Sequence, residues 1–320
     1  MSIRLKNQGF KIAIFFVGFF ILDWIFSLFL SWAFNHTERG ETTGGNINKV
    51  INARPQVVVI GNSRAQRNFN PLMIQKVLSK TVYVVGASGQ GIPYIRGAVD
   101  ILLHQYKPDL FIINIDPAFI DVVNHKKQLD RVAVLSSFFD SSQVIREIIY
   151  NRGMLERIKY VSRTFRYNGK ILAILSNLFK KDESNSGYVP LQGTLGVEDI
   201  YKKKDADTKL SGVADAYIVC LLTETIRQVA AHGSRIVFIT SPTWGLDATN
   251  DSEYKKLLNN TKSISQEYQI PYLYIDASNT PAFRDPSLFR DADHLNISGA
   301  EIFSALVADW LAKNGYARAN

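Results

Sequence analysis

The sequence predicts an α/β fold: a three-layer α/β/α domain on a parallel sheet of about five strands, preceded by one N-terminal transmembrane helix. Three observations predict it. Short apolar runs rich in β-branched residues, such as Val57-Val58-Val59-Ile60, end in turn residues and alternate with helical stretches. These runs are apolar throughout, as in strands covered on both faces. Ahead of them, residues 12–34 form an apolar run whose single charge is Asp23.

The first 11 residues carry Arg4, Lys6 and Lys11 and no acid. At about 1.5 Å per residue, residues 12–34 span a bilayer core of roughly 30 Å. Trp24 and Trp32 add amphipathic rings, with Trp32 at the outer interface. The positive flank predicts a cytoplasmic N-terminus (1–11), a transmembrane anchor (12–34) and an extracytoplasmic, periplasmic remainder. Cleavage after Ser31-Trp32-Ala33 is the alternative, but the run is longer than a usual signal core. Asp23 at mid-span is expected to be protonated, or paired with a polar group of a polytopic membrane partner. Residues 35–54 are polar, contain Gly44-Gly45, and read as a linker.

The domain occupies 55–320. The first strand, 57–60, ends in Gly61-Asn62-Ser63-Arg64, and a helix follows Pro71 at 72–78. The second strand, 81–85, ends in Gly86-Ala87-Ser88-Gly89-Gln90-Gly91 before a helix at 94–106. The third, 110–115, ends in Asp116-Pro117. Residues of about 119–210 break the rhythm and read as a partly helical insertion beside the carboxyl ends of the strands, with helices at 143–150 and 170–179. It is expected to form a substrate wall or a partner surface. A helix at 213–231, a strand at 235–240, a helix at 253–268 and a strand at 271–275 resume the pattern, and a last helix at 300–314 closes it.

With 46% apolar and 21% charged residues in 320, a packed core is expected rather than disorder. The lone Cys220 excludes an internal disulfide and, inside the apolar run 216–222, is expected to be a small buried hydrophobe. The net charge of +8 comes as pairs (Lys126-Lys127, Lys180-Lys181, Lys255-Lys256) and the triplet 202–204, interleaved with acids and without a nucleic-acid motif. This basicity suits an anionic membrane surface or cell-wall polymer, or a merely solvated surface, and no nucleic-acid partner is expected. No nucleotide loop or metal-ligand cluster is present in the sequence, so no cofactor is expected.

Parallel sheets present ligands at the carboxyl ends of their strands. Ser63 stands at such an end, where Gly61 allows a tight turn. A serine becomes a nucleophile when a histidine, oriented by a carboxylate, takes its proton. Of the five histidines, His294 alone lies in a loop after the last strand with a carboxylate three residues before it. In Asp291-Ala292-Asp293-His294 one bend brings Asp291 to Nδ1 and leaves Nε2 for Ser63, while Asp293 diverges. Taken singly, Ser63 reads equally as part of an ordinary strand-to-helix turn, and His294 reads first as a hydrogen-bonded loop residue.

The ordered set resembles the SGNH (GDSL-type) hydrolase family over roughly 56–116 and 235–314. Gly61-Asn62-Ser63 matches its Gly-Asp-Ser block with Asn62 for Asp, Gly89 matches its second-block glycine, and Asp291 with His294 matches its Asp-x-x-His block. With the anchor and His294-Leu295-Asn296, the chain looks like membrane-anchored members, some of which work beside polytopic acyltransferases on envelope polysaccharides or teichoic acids. The resemblance implies a flavodoxin-like sheet, Ser63, His294 and Asp291 as catalytic residues, and the Ser63 and Gly89 amides as oxyanion donors. The family's third block, Gly-x-Asn-Asp, supplies a further donor. Here Asn114-Ile115-Asp116-Pro117 stands in its place, so Asn114 donates, a protonated Asp116 donates, or an ionised Asp116 repels the oxyanion. Arg64 and Arg67 are candidates for substrate binding, with a structural pairing preferred for Arg64. Asn296 and Ser298 are expected to cap the last helix or hold its loop. The function expected is a serine esterase or O-acyltransferase on acyl, chiefly acetyl, esters of envelope polysaccharide. The alternative is a non-catalytic binding or assembly factor that kept the fold.

Overall fold

The computed structural model describes residues 2–180, 186–196, 209–244 and 251–317. The chain opens with helices α1 (Ser2–Asn35) and α2 (Gly45–Ala53), then strand β1 (Val57–Gly61). Helices α3 (Ser63–Asn68) and α4 (Pro71–Leu78) lead to β2 (Val82–Gly86), and α5 (Ile92–Gln105) leads to β3 (Leu110–Asn114). The insertion holds α6 (His125–Arg131), α7 (Gln143–Tyr150), α8 (Met154–Lys159) and α9 (Ile171–Asn177), joined by 3-10 turns. Then come α10 (Ala216–Ala231), β4 (Arg235–Thr240), α11 (Ser252–Glu267), β5 (Tyr272–Tyr274) and α12 (Ile297–Lys313).

The five strands are parallel in the order β2-β1-β3-β4-β5. This is the doubly wound, flavodoxin-like order, in which the crevice for ligands lies between β1 and β3, where the strand order reverses. Val57 stands opposite both Val82 and Leu110, so the three strands start level. Strand side chains alternate between two cores. Val58, Ile60, Phe111, Ile113 and Phe238 meet α2, α5, α10 and α11. Val57, Val59, Leu110, Ile112 and Val237 meet α3, α4 and α12. Burial on both faces explains why the strands read as unbroken apolar runs.

Several expectations change. Residues 35–54 are not an open linker. Their α2 buries Ile47 and Val50 completely, and Asn48 Nδ2 donates to the carbonyls of Phe34 (2.7 Å) and Thr37 (3.1 Å). The end of α1, which leaves unpaired carbonyls, is thereby sealed onto the domain. Asp23 finds its partners within this chain: its carboxylate accepts from Ser162 Oγ (2.6 Å) and the amides of Arg163 (2.7 Å) and Thr164 (3.1 Å). Sequence spacing gives no hint of a contact 139 residues apart. Cys220 is exposed, because the helical period of α10 turns Ile218, Leu221 and Leu222 inward and leaves Cys220 beside Glu224. The last helix begins at Ile297, since Asn296 Oδ1 accepts from the Gly299 amide at 3.0 Å. Lys181 and the triplet 202–204 lie outside the described residues.

Candidate active site

The site forms at the reversal of strand order. Strand β1 ends in Gly61, where an added Cβ would stand 2.9 Å from the Asn114 carbonyl oxygen of neighbouring β3. Asn62 then caps α3, its Oδ1 accepting from the Arg64 amide at 2.9 Å. Ser63 is thus the first residue of a helix that the sequence reading did not resolve, and its N–H has no acceptor among the described residues. The hydroxyl sits at the positive end of that short helix, above the sheet.

His294 Nε2 lies 2.8 Å from Ser63 Oγ. Its Nδ1 lies 2.9 and 3.0 Å from the two oxygens of Asp291. The amides of Asp293 (2.8 Å) and His294 (3.0 Å) both donate to Asp291 Oδ1, so the loop folds around its own carboxylate. Burial pushes the Asp291 carboxyl up, but the hydrogen bond and charge of His294, with the two amides, outweigh it, and the carboxyl sits below its ordinary value. Two contacts anchor this loop from outside. Asn68 Oδ1, fully buried at the end of α3, accepts from the Leu295 amide at 3.1 Å, and the Trp244 amide donates to Ala292 O at 2.8 Å. Among the described residues, only His294 has a hydroxyl on its second ring nitrogen; His125 meets Asp215, which caps α10.

Gly89 lies in the turn after β2 with φ +69, and an added Cβ would stand 2.1 Å from Arg131 Nη1. The positive φ favours glycine, whereas the Arg131 guanidinium, at the end of a flexible side chain, would swing aside. Its carbonyl accepts from Arg131 Nη1 at 2.8 Å, while its N–H has no acceptor among the described residues. Glu41, between α1 and α2, accepts from the Ser88 amide at 2.9 Å and braces this turn. Sequence reading missed Glu41 and Asn68, since neither lies in a motif.

Asn114 is 1% exposed, and its Nδ2 donates to Asn62 Oδ1 at 3.1 Å, which fixes the cap beneath Ser63. It holds the turn and does not border the cavity. Asp116 pairs with Arg64 and also accepts from the Ala118 amide at 3.0 Å. Burial lowers the proton affinity of Arg64, but the charges of Asp116 and Asp293 outweigh this and keep it protonated. Arg67 Nη1 donates to Val189 O at 3.1 Å. Ser298 lies in the first turn of α12.

Ser63 and His294 open into a cavity of about 720 Å³. Asn62, Arg64, Gly89, Gln90 and Asp116 line its floor. The insertion supplies one wall through Phe119, Asn124, Lys127, Gln128 and Arg131, and Thr243, Asp251, Glu253 and Asp293 face it. The lining is mainly polar and carries both signs of charge.

No family model matches the chain, and no curated protein matches it in sequence. Solved structures similar to it include a GDSL-like lipase from Bacteroides thetaiotaomicron, at 12% identity over 86% of this chain and 100% of that one, with a TM-score of 0.41. An acetyl xylan esterase, AlAXEase, is 13% identical over 81% of this chain and 99% of that one, with a TM-score of 0.40. A lipase/acylhydrolase from Enterococcus faecalis is 12% identical over 81% and 96%, with a TM-score of 0.37. Likeness of this size carries no argument about chemistry, which rests on the geometry of Ser63, His294 and Asp291.

Proposed function

We propose that the chain is a membrane-anchored serine acyl-transfer enzyme acting on acyl esters, with acetyl esters of cell-envelope polysaccharide as its substrate class. The observation that carries this reading is the 2.8 Å contact of Ser63 Oγ with His294 Nε2, on an imidazole whose Nδ1 is held by Asp291. Ser63 attacks the acyl carbonyl as His294 takes its proton, and Asp291 stabilises the imidazolium. The oxyanion accepts from the Ser63 and Gly89 amides. Collapse expels the alcohol, which leaves with the proton from His294. Water or a sugar hydroxyl then attacks the acyl-serine, gives its proton to His294 and restores Ser63. Water makes an esterase; a sugar hydroxyl makes an O-acyltransferase. The polar cavity suits a hydroxylated substrate.

Anchoring is supported by α1, which is long and apolar enough over Gln8–Asn35 to cross a membrane, and by the basic residues before it. The reading has a cytoplasmic N-terminus and an extracytoplasmic catalytic domain. A polytopic acyltransferase partner loses the support of Asp23, whose carboxylate is occupied within the chain.

One observation favours a non-catalytic binding factor: the Asn114 amide is engaged by Asn62, which leaves two backbone donors for an oxyanion. Turnover of p-nitrophenyl acetate by the full-length protein, compared with Ser63→Ala, separates the readings. Hydrolysis lost in the variant supports the enzyme; equal rates in both support the binding factor.

A further inference from the structure

The insertion carries a belt of apolar side chains that the protein leaves uncovered. On α8 and the turn after it, Ile158 is 69% exposed and Val161 60%. On and after α9, Leu172 is 83% exposed and Phe179 89%. Both stretches adjoin α1. Helix α9 packs against it, and the turn after α8 runs into the Ser162–Thr164 segment that binds Asp23. Between that segment and Phe19, Phe26 and Phe29 of α1 lies an apolar groove.

The position of Asp23 along α1 sets the level of this belt. A bilayer core takes about 20 residues of helix. Counted from Ile12, the first residue after Lys11, they end near Ser31. Asp23 lies about 12 Å short of that point along the axis at the helical rise. The residues bound to it therefore share its depth.

We propose that the α8–α9 part of the insertion sits inside the outer leaflet of the bilayer beside α1, with lipid covering its apolar belt. This rests on the membrane-anchored reading above. Non-helical backbone is tolerated at that depth only when its polar groups are satisfied by protein. The Asp23 carboxylate does this for the amides of Arg163 and Thr164, and Thr164 Oγ1 donates to the Asp23 carbonyl at 3.1 Å. The cations beside the belt are answered within the protein: Lys159 pairs with Glu156 at 2.9 Å, Lys180 donates to Ser176 Oγ at 3.0 Å and Arg157 lies over the Tyr150 ring. Lipid is the occupant because the belt continues, across the apolar groove, the exposed apolar surface of α1. The catalytic domain is thus seated on the membrane at two places, and the insertion that walls the cavity is fixed with it.

The test uses the full chain in vesicles of phosphatidylcholine and phosphatidylglycerol, with no other protein present. In a Cys220→Ser background, nitroxide labels are attached through Phe16→Cys, Ile158→Cys, Leu172→Cys and, as a control on α12, Leu306→Cys. Collision rates with oxygen, which partitions into lipid, are compared with those of a water-soluble nickel complex. The proposal expects Ile158→Cys and Leu172→Cys to match the high oxygen-to-nickel ratio of Phe16→Cys, with Leu306→Cys low. Nickel-accessible labels at 158 and 172 with a lipid-exposed label at 16 would overturn it and assign the belt to a protein partner. A nickel-accessible label at 16 would overturn the anchored reading itself.

Discussion

Arg64 and Asp116 form an ion pair across the reversal point between β1 and β3, immediately behind the candidate nucleophile. Asp116 borders the cavity into which Ser63 opens, and the pairing answers its charge. Arg64 is 4% exposed, so losing its partner leaves a buried charge uncompensated. Breaking a buried pair from one side costs about 3–5 kcal/mol. Asp116→Ala is expected to lose stability of that order in urea unfolding, and Arg64→Met with Asp116→Leu to recover most of it. Equal losses in the single and double variants would contradict the pairing.

Gly89→Ala tests the second oxyanion donor. The positive φ strains any residue with a Cβ here, and the added atom displaces the Arg131 guanidinium that donates to the Gly89 carbonyl. Losing one such donor costs on the order of 100- to 1000-fold in rate. The expected result is a fall of that size in kcat with KM little changed. An unaltered kcat would remove Gly89 from the mechanism.

Asp291→Asn leaves the size of the side chain unchanged but loses the charge that holds His294. In a well-studied serine protease the equivalent change lowers kcat about 10⁴-fold. A drop of about 10²–10⁴-fold is expected here on p-nitrophenyl acetate. Because the folded carboxyl sits below its ordinary value, its contribution to stability is present above the unfolded pKa and is lost as pH falls through the folded one. Acid unfolding of Asp291→Asn should therefore depend less steeply on pH below about 4 than that of the parent.

Lys170, at the start of α9, is buried with only neutral partners: Val134 O at 2.7 Å, Ser136 Oγ at 2.9 Å and Ser137 Oγ at 3.3 Å. Burial, helped by the charge of Arg152, pushes its ammonium down to about 7. Above that value the unfolded chain holds a proton that the folded one has released. Stability then rises with pH, by up to about 1.4 kcal/mol per unit, until the unfolded lysine also titrates. The melting temperature should climb between pH 7 and 9, and less so in Lys170→Met. An identical climb in both proteins would show that another group is responsible.

The sheet was legible because burial on both faces leaves apolar runs that survive in one dimension. The pairing of Ser63 with His294 was legible because chain order and strand ends bring both to one edge of a parallel sheet. Contacts that depend on tertiary placement were not. Asn68 positions the histidine loop across 227 residues and Glu41 braces the Gly89 turn across 47, with no periodicity to announce either. The stretch 35–54 misled because its polar, glycine-containing composition conceals the buried Ile47 and Val50. Asn114 was placed correctly at the end of β3, but the direction of its amide, toward Asn62, follows from strand phase and cap geometry.

The central claim is that Ser63 becomes acylated. The most direct measurement is intact mass of the full-length protein, quenched in acid within seconds of mixing with p-nitrophenyl acetate, followed by peptide mapping. An added acetyl group on Ser63, absent in Ser63→Ala, is the predicted result. Ester cleavage that proceeds with no adduct on Ser63, or an adduct that persists in Ser63→Ala, would contradict it.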